Sequence, residues 1–309
     1  MLYKMKFYSR GVISNLFPKS FFEKQYTSLF KGFSSKELDD MHQRANYYNK
    51  LEKTFNLDEK AIDFKFLHLG YCNSSYYYDF KEILRYISGE PRFNCIFGDV
   101  KEIPEYPSIV KARLINEYNS NSVLLKLNKV RHFRFINDSI DFEKKANIAV
   151  FRGSCYQQQR QDFIYKHYLT PLTNIGDTRE ELKDKFGYKH RMTIKDQLKN
   201  KFIISIEGHD VATNLKWILN SNSLCFMKKP LVESWFMEGN LKPNFHYVVL
   251  KDDYSDLEEK IQYFIDNREE ARFILHNAKT HCDIFKDLKK ERLISLLVLE
   301  KYISYTLDK

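Results

Sequence analysis

KANIAVFRGSCYQQQRQDFIYKHYL, residues 145–169, changes character at its middle. KANIAVF is a short, mostly apolar run of the kind carried by a strand buried on both faces. From Gln157 onward the stretch reads as a helix. Between them lies Arg152-Gly153-Ser154, with a glycine where a backbone must turn sharply or approach a ligand closely. A helix N-terminus follows, with unpaired N–H groups and the positive end of the helix dipole. Arg160 lies six residues after Ser154, about one turn into that helix, and is in reach of the same anion. Arginine stays charged and binds phosphate through two parallel hydrogen bonds. Two readings stand for this corner: a strand-to-helix turn that happens to be basic, and a phosphate-binding site.

The same alternation continues on the C-terminal side. KFIISIEG (201–208) reads as strand, VATNLKWILNS (211–221) as helix, NSLCFM (222–227) as strand and LVESWFMEG (231–239) as helix. NFHYVVLK (244–251) then reads as strand and YSDLEEKIQYFIDN (254–267) as helix, before two long helical stretches at 269–285 and 288–305. Strands alternating with helices predict βαβ units on a parallel sheet, hence an α/β fold. Ligands on such sheets sit beyond the carboxyl ends of the strands. That singles out Gly98-Asp99, Arg152-Gly153-Ser154, Glu207-Gly208-His209-Asp210 and the stretch after Phe226.

The N-terminal half is less regular. Ser34 and Glu37 have capping-box spacing at the start of a polar helix over 34–55. FKFLHLGY (64–71), NCIFGDV (94–100), SVLLKLNK (122–129) and HFRFI (132–136) read as strands, and YYYDFKEILRYIS (76–88) as helix. A chain of 309 residues with only 10 Gly and 7 Pro suits two abutting domains without long linkers.

The formal net charge of +9 implies an anionic partner: nucleic acid, a membrane surface or a phosphorylated small molecule. Five cysteines without a C-x-x-C pair indicate neither a disulfide framework nor a zinc knuckle, and read as reduced thiols. No apolar run reaches the roughly 20 residues that span a bilayer. MLYKMKFYSRGVISNLF interrupts its apolar residues with Lys4, Lys6 and Arg10, unlike a signal peptide. It reads either as a packed or frayed terminal segment or as one that lies on an anionic membrane. G-x-G-x-x-G, the P-loop and D-x-D are all absent. The spacing of His276, His281 and Cys282 is poor for zinc. Trp217 and Trp235 read as core, and Tyr76–Tyr78 as either a half-buried helix start or a sugar-stacking surface.

FRGS with Arg160 six residues on, then KFIISIEGHDVATNLKWILNSNSLCFM, then ESWFMEGNLKPNFHYVVLKDDYSDLEEKIQYFIDN together resemble glycosyltransferase family 90, most of all its bacterial lipopolysaccharide-core branch. The resemblance covers residues 95–285 and is weak before them. It implies a GT-B architecture, with two Rossmann-like domains facing a cleft. Residues 1–143 would form the acceptor-side domain, residues 144–286 the nucleotide-sugar domain, and residues 287–309 would pack back on the first. It also implies inverting transfer without a metal or other cofactor, from a UDP-sugar donor to the lipopolysaccharide inner core.

In that frame Asp99 of FGDVKEIP matches the general base that deprotonates the acceptor hydroxyl; Asp138 and Asp79 are weaker substitutes. Ser154 and Arg160 match diphosphate contacts beside the Gly153 turn, where positive charge stabilises the leaving group. Around the Gly208 turn the donor-side set continues with Asp210, Thr213 and Asn214. Asn214 stands where animal members carry a second diphosphate arginine, and Lys216 is the candidate replacement charge. Glu233 is either a ribose acceptor or a helix-capping acid. The expected partners are a nucleotide sugar, a lipopolysaccharide acceptor and the anionic cytoplasmic face of the bacterial inner membrane, with no nucleic acid. The alternatives from other classes are a basic, aromatic nucleic-acid binder and a transferase-like scaffold without activity.

Overall fold

The computed structural model describes residues 2–100 and 102–307. The chain forms two compact units: unit 1 is Met1–Phe133, Val232–Met237 and Phe285–Lys309, and unit 2 is Arg134–Leu231 and Glu238–Ile284. The first boundary thus falls before residue 143, and a short piece of the second half belongs to unit 1.

Unit 1 opens with helices α1 (Leu2–Ser14), α2 (Lys19–Glu23), α3 (Tyr26–Leu29) and α4 (Ser35–Tyr48). α4 starts with the expected capping box: Glu37 N donates to Ser34 Oγ at 3.3 Å, and Ser34 N donates to Glu37 Oε2 at 3.0 Å. β1 (Ile62–Asp63), α5 (Ser74–Leu84), β2 (Arg92–Phe93), β3 (Cys95–Ile96), β4 (Ser108–Val110), β5 (Ala112–Leu114), β6 (Ser122–Leu124) and α6 (Lys129–His132) follow. β3, β4 and β6 make a parallel sheet in that order.

Two expected strands of this unit are corrected. In 64–71 the Asp63 carboxylate accepts from Lys65 N at 3.0 Å and turns Phe64–Phe66 into a 3₁₀ turn. In 132–136 the chain ends α6 at His132 and forms no strand; Lys129 N, at the start of that helix, donates to buried Asp79 Oδ2 at 2.7 Å.

Unit 2 contains β7 (Ala146–Gly153), α7 (Gln158–His167), β8 (Thr173–Asp177), α8 (Ile194–Gln197), β9 (Asn200–Ile204), α9 (Leu215–Leu219) and β10 (Leu224–Met227). The chain then lends β11 (Val232–Ser234) to unit 1 and returns for β12 (Val248–Val249), α10 (Leu257–Asp266) and α11 (Arg268–Asp283). Its sheet runs β12-β10-β9-β7-β8, and every pair is parallel. Ala149, Phe151, Phe202, Ile204, Leu224 and Phe226 are buried in its core, which is why these strands read as continuous apolar runs. β8 escaped the sequence reading because TNIGD is short and mixed in polarity.

This strand order is doubly wound. From β7 the chain steps outward to β8, then crosses back to β9 on the other side of β7. The switch point therefore lies between β7 and β9, and the crevice at their carboxyl ends is where such sheets take ligands.

The stretch 231–239, expected as helix, is corrected to strand over Val232–Ser234. β11 pairs antiparallel with β5 and sets Glu233 opposite Arg113. Arg113 donates from Nε to Glu233 Oε1 at 2.8 Å, and its Nη atoms donate to the Tyr47, Tyr48 and Ser122 carbonyls. Tyr47 Oη donates to the other Glu233 oxygen. Beside them Trp235 stacks on Tyr48, with ring centroids 3.8 Å apart, and donates its indole N–H to Glu291 on α12 (Leu288–Tyr305) at 2.7 Å. Among the described residues no helix is long and apolar enough to cross a membrane.

Both members of the Arg113–Glu233 pair are almost fully buried, so removing one strands the other charge. Arg113→Met should cost about 3–5 kcal/mol. The double variant Arg113→Met/Glu233→Met should recover most of that loss in a thermal-unfolding cycle. Losses that simply add would show that the two charges are not coupled.

Candidate functional site

The site is built at the switch point of unit 2. β7 ends at Gly153, and Thr178 N donates to the Gly153 carbonyl at 3.0 Å. Asp177, at the end of β8, accepts from Cys155 N at 3.3 Å and from Arg179 N at 3.0 Å, and it pairs with the Arg179 guanidinium at 2.8 Å. These bonds fix the Gly153-Ser154-Cys155 corner from the side. Burial pushes the Cys155 thiol up to about 12, so it stays protonated and is not a nucleophile.

The second corner follows β9. Ser205 N still pairs with Phe226 O at 2.9 Å, and Gly208 N donates to Asp210 O at 3.0 Å to close a tight turn. Arg160 reaches from α7 to tie the corners together. Its Nη1 donates to Ser154 O at 3.2 Å, its Nε to Glu207 O at 3.1 Å and its Nη2 to Ile206 O at 2.6 Å. Gln159 adds a bond from Nε2 to Glu207 O at 3.0 Å. Gly208 lets the chain pass close to Arg160: a Cβ at that position would lie 3.3 Å from Nη2, and the guanidinium would have to shift by a few tenths of an ångström.

Beside these corners opens a cleft of about 230 Å³, walled by Ser205, Glu207, Leu215, Lys228, Leu231 and Tyr254 among others. Lys228 lies over the Tyr254 ring, 4.8 Å from its centroid, and donates to Asp252 O at 3.1 Å. Leu231 N donates to Glu207 Oε1 at 3.1 Å. The structure thus brings together Gly153, Ser154, Arg160 and Gly208, and adds Gln159, Lys228, Tyr254 and Asp177. Nothing in the local spacing of those four additions marked them, except that Asp177 ends TNIGD much as Asp99 follows Gly98.

The other sequence-derived candidates fall in different surroundings. Asp210 is buried in the Gly208 turn, and Thr213 is half-buried just before α9. Asn214 turns inward: it accepts from Ser205 Oγ at 3.0 Å and donates to Ile204 O at 3.2 Å, which locks α9 to β9. Lys216, the candidate replacement charge, is completely buried with its ammonium on Glu238. It would have to leave an equally buried carboxylate to reach a diphosphate. Glu233 lies in unit 1, paired with Arg113. Helical spacing shows which residues share a face but not which carboxylate a distant loop presents to them. Arg152, left without a role by the sequence, donates to the Phe151, Asn174 and His190 carbonyls and to Asn174 Oδ1, anchoring the β8 side.

In unit 1, Asp99 follows β3 at the carboxyl end of the parallel sheet. It is partly exposed and makes an ion pair at 2.7 Å with Lys111, which is buried directly after β4. A carboxylate at a sheet's carboxyl edge, open to solvent on one side, has the chemistry to accept a proton from an incoming hydroxyl. The weaker substitutes are enclosed: Asp138 pairs with Lys145 at 2.8 Å and accepts from Asn222 N. Asp79 is raised by burial to about 6 while paired with Lys129. Among the described residues no group of three or more His, Cys, Asp or Glu is placed to hold a metal ion.

Arg160 holds three carbonyls from two loops. Arg160→Met should therefore destabilise unit 2 by about 2–3 kcal/mol. Arg160→Lys should recover only part of this, because an ammonium lacks the planar fork. Hydrogen exchange should accelerate first at residues 153–156 and 205–208; unchanged protection there would remove Arg160 from this role.

The model of the family described as Glycosyl transferase family 90 matches residues 122–302, which include both corners and the cleft. The O-glucosyltransferase LpsA of Dichelobacter nodosus is 40% identical over 306 residues, covering 98% of this chain and 96% of that protein. Uncharacterized protein 179R of Invertebrate iridescent virus 6 is 36% identical over 280 residues, covering 75% of this chain and 23% of that protein. Protein O-glucosyltransferase 2 of Danio rerio is 28% identical over 154 residues, 45% of this chain and 30% of that one. With a family match over more than half its length and a relative aligned almost end to end, this chain belongs to glycosyltransferase family 90 and is a glycosyltransferase.

Proposed function

We propose that this glycosyltransferase is a GT-B enzyme that moves a hexose from a UDP-sugar to the lipopolysaccharide inner core, with inversion and without a metal. The observation that carries the donor assignment is Arg160, held at the switch point of unit 2 between two glycine corners, with a cleft alongside. In this reading the cleft takes the nucleoside and the diphosphate lies against the Ser154 and Gly208 corners. Positive charge and backbone N–H groups there stabilise the departing diphosphate as the glycosidic bond breaks.

Inversion requires one displacement. The acceptor oxygen attacks the anomeric carbon and its proton passes to the Asp99 carboxylate. UDP leaves from the opposite face with the bonding electron pair. Lys111 holds Asp99 in place through the 2.7 Å ion pair, and is a positioning residue in this scheme. The name of the Dichelobacter nodosus relative makes glucose the first sugar to test and lipopolysaccharide the first acceptor. In this reading the enzyme acts on that acceptor from the cytoplasmic face of the inner membrane, attached peripherally.

The test is donor turnover across a panel of UDP-sugars, with and without chelator. One UDP-hexose should be hydrolysed or transferred at a rate that chelator leaves unchanged. Loss of activity on chelation overturns the metal-independent reading, and absence of binding by any UDP-sugar overturns the donor assignment. Asp99→Asn should lower kcat by about 10²–10⁴-fold while UDP affinity stays within a factor of two or so. A parallel loss of UDP affinity would remove Asp99 from the role of base.

A further inference from the structure

The first 31 residues carry Lys4, Lys6, Arg10, Lys19, Lys24 and Lys31 against Glu23 alone, a net +5 of the chain's +9. The same segment exposes a disproportionate share of apolar side chains. α1 is docked on α5 through Gly11, where a Cβ would lie 2.4 Å from the Tyr78 ring. Phe7 meets the same ring edge-on at 6.4 Å. That contact fixes which side of α1 faces outward: Met5, Val12 and Ile13 are each more than half exposed, and Leu16 just beyond the helix is 79% exposed. Phe17 and Phe21, exposed just after the helix, stack on each other at 5.1 Å, and Lys6 and Arg10 flank the strip on α1. An apolar strip turned to solvent and bordered by cations is the pattern of a helix that lies in a membrane interface.

Beneath α1 a cavity of about 530 Å³ opens among α1, α5 and α12. Six cations line it, Lys6, Arg10, Arg85, Lys126, Lys129 and Arg292, against only two carboxylates, Glu82 and Glu291. Glu291 is taken by Lys126 and by Arg44 at 2.6 Å. Glu82 faces Lys129, which also pairs with Asp79 at 3.2 Å, together with Arg292 at 3.3 Å and Arg10 at 3.8 Å. Burial works against its charge, yet these three cations hold it down at about 2. The cavity keeps an excess of positive charge, and among the described residues the buried Arg292 Nε–H has no hydrogen-bond acceptor. Its walls are also apolar, formed in part by Phe7, Phe22 and Leu288.

We propose that this cavity takes the phosphate-bearing head group of an anionic lipid, with the outward strip of α1 seated in the bilayer interface. The proposal deepens the membrane part of the reading above and shares nothing with its sugar chemistry. Arg292 and Arg10 would donate to the phosphate, and Met5, Val12, Ile13 and Leu16 would enter the interface.

Vesicle co-sedimentation of the full chain tests it, using phosphatidylcholine vesicles doped with either phosphatidylglycerol or oleate to matched surface charge. UDP affinity is measured on the same preparations without vesicles, so failure of the donor reading shows separately. The wild type should prefer phosphatidylglycerol over oleate. Arg292→Gln and the exposed Arg10→Gln should each lower phosphatidylglycerol binding by about fivefold, and Arg292→Gln should leave oleate binding unchanged. Ile13→Asp/Leu16→Asp should weaken binding to both vesicles. Equal binding to the two vesicle types, or an Arg292→Gln variant that keeps the preference, overturns the head-group site. Absence of binding to either vesicle overturns the proposal as a whole.

Discussion

A parallel sheet ends in a row of backbone carbonyls that the next strand does not use, and unit 2 answers this at its switch point with one guanidinium. Arg160 accepts the geometry of both neighbouring strands at once, because its planar fork presents Nε, Nη1 and Nη2 in fixed directions. No neutral side chain supplies three charged donors from one point. The constraint propagates outward. Arg160 must come from the first turns of α7, so the loop after β7 must be short and turn at Gly153. The chain after β9 passes so close that a Cβ at 208 would lie 3.3 Å from the guanidinium. The cleft bordered by Glu207 and Leu231 opens beside these two corners.

The parts of this arrangement that were legible in the sequence are the local ones. Continuous apolar strands, the glycine corners, the capping box at Ser34 and the arginine one turn into α7 all follow from short-range rules, and each is found in the fold. What was not legible depends on partners far away in the chain. LVESWFMEG has helical periodicity, yet Glu233 is claimed by Arg113, 120 residues away, and extended pairing with β5 outweighs the local preference. Lys216 is the candidate replacement charge two residues on, and Glu238, supplied by the chain after β11, takes it. Asn214 stands where the resemblance places a diphosphate contact, and its amide closes on Ser205 and Ile204.

The same distinction changes what the net charge means. Arg113, Lys111, Lys145 and Lys216 are all buried, each with a carboxylate partner. Each such pair contributes nothing to the charge seen from outside, and their retention reflects the need to close specific loops and strands rather than any attraction for an anion. The excess over these pairs is what a partner encounters. More than half of it, +5 of +9, lies in 31 residues that also turn apolar side chains outward. A nucleic-acid surface would reward the cations but leave Met5, Val12, Ile13 and Leu16 in water. An anionic bilayer offers an environment to both, because Coulomb attraction acts at the head groups and apolar burial a few ångströms deeper. Composition alone left these two partners level; the side of α1 that Gly11 fixes against Tyr78 separates them.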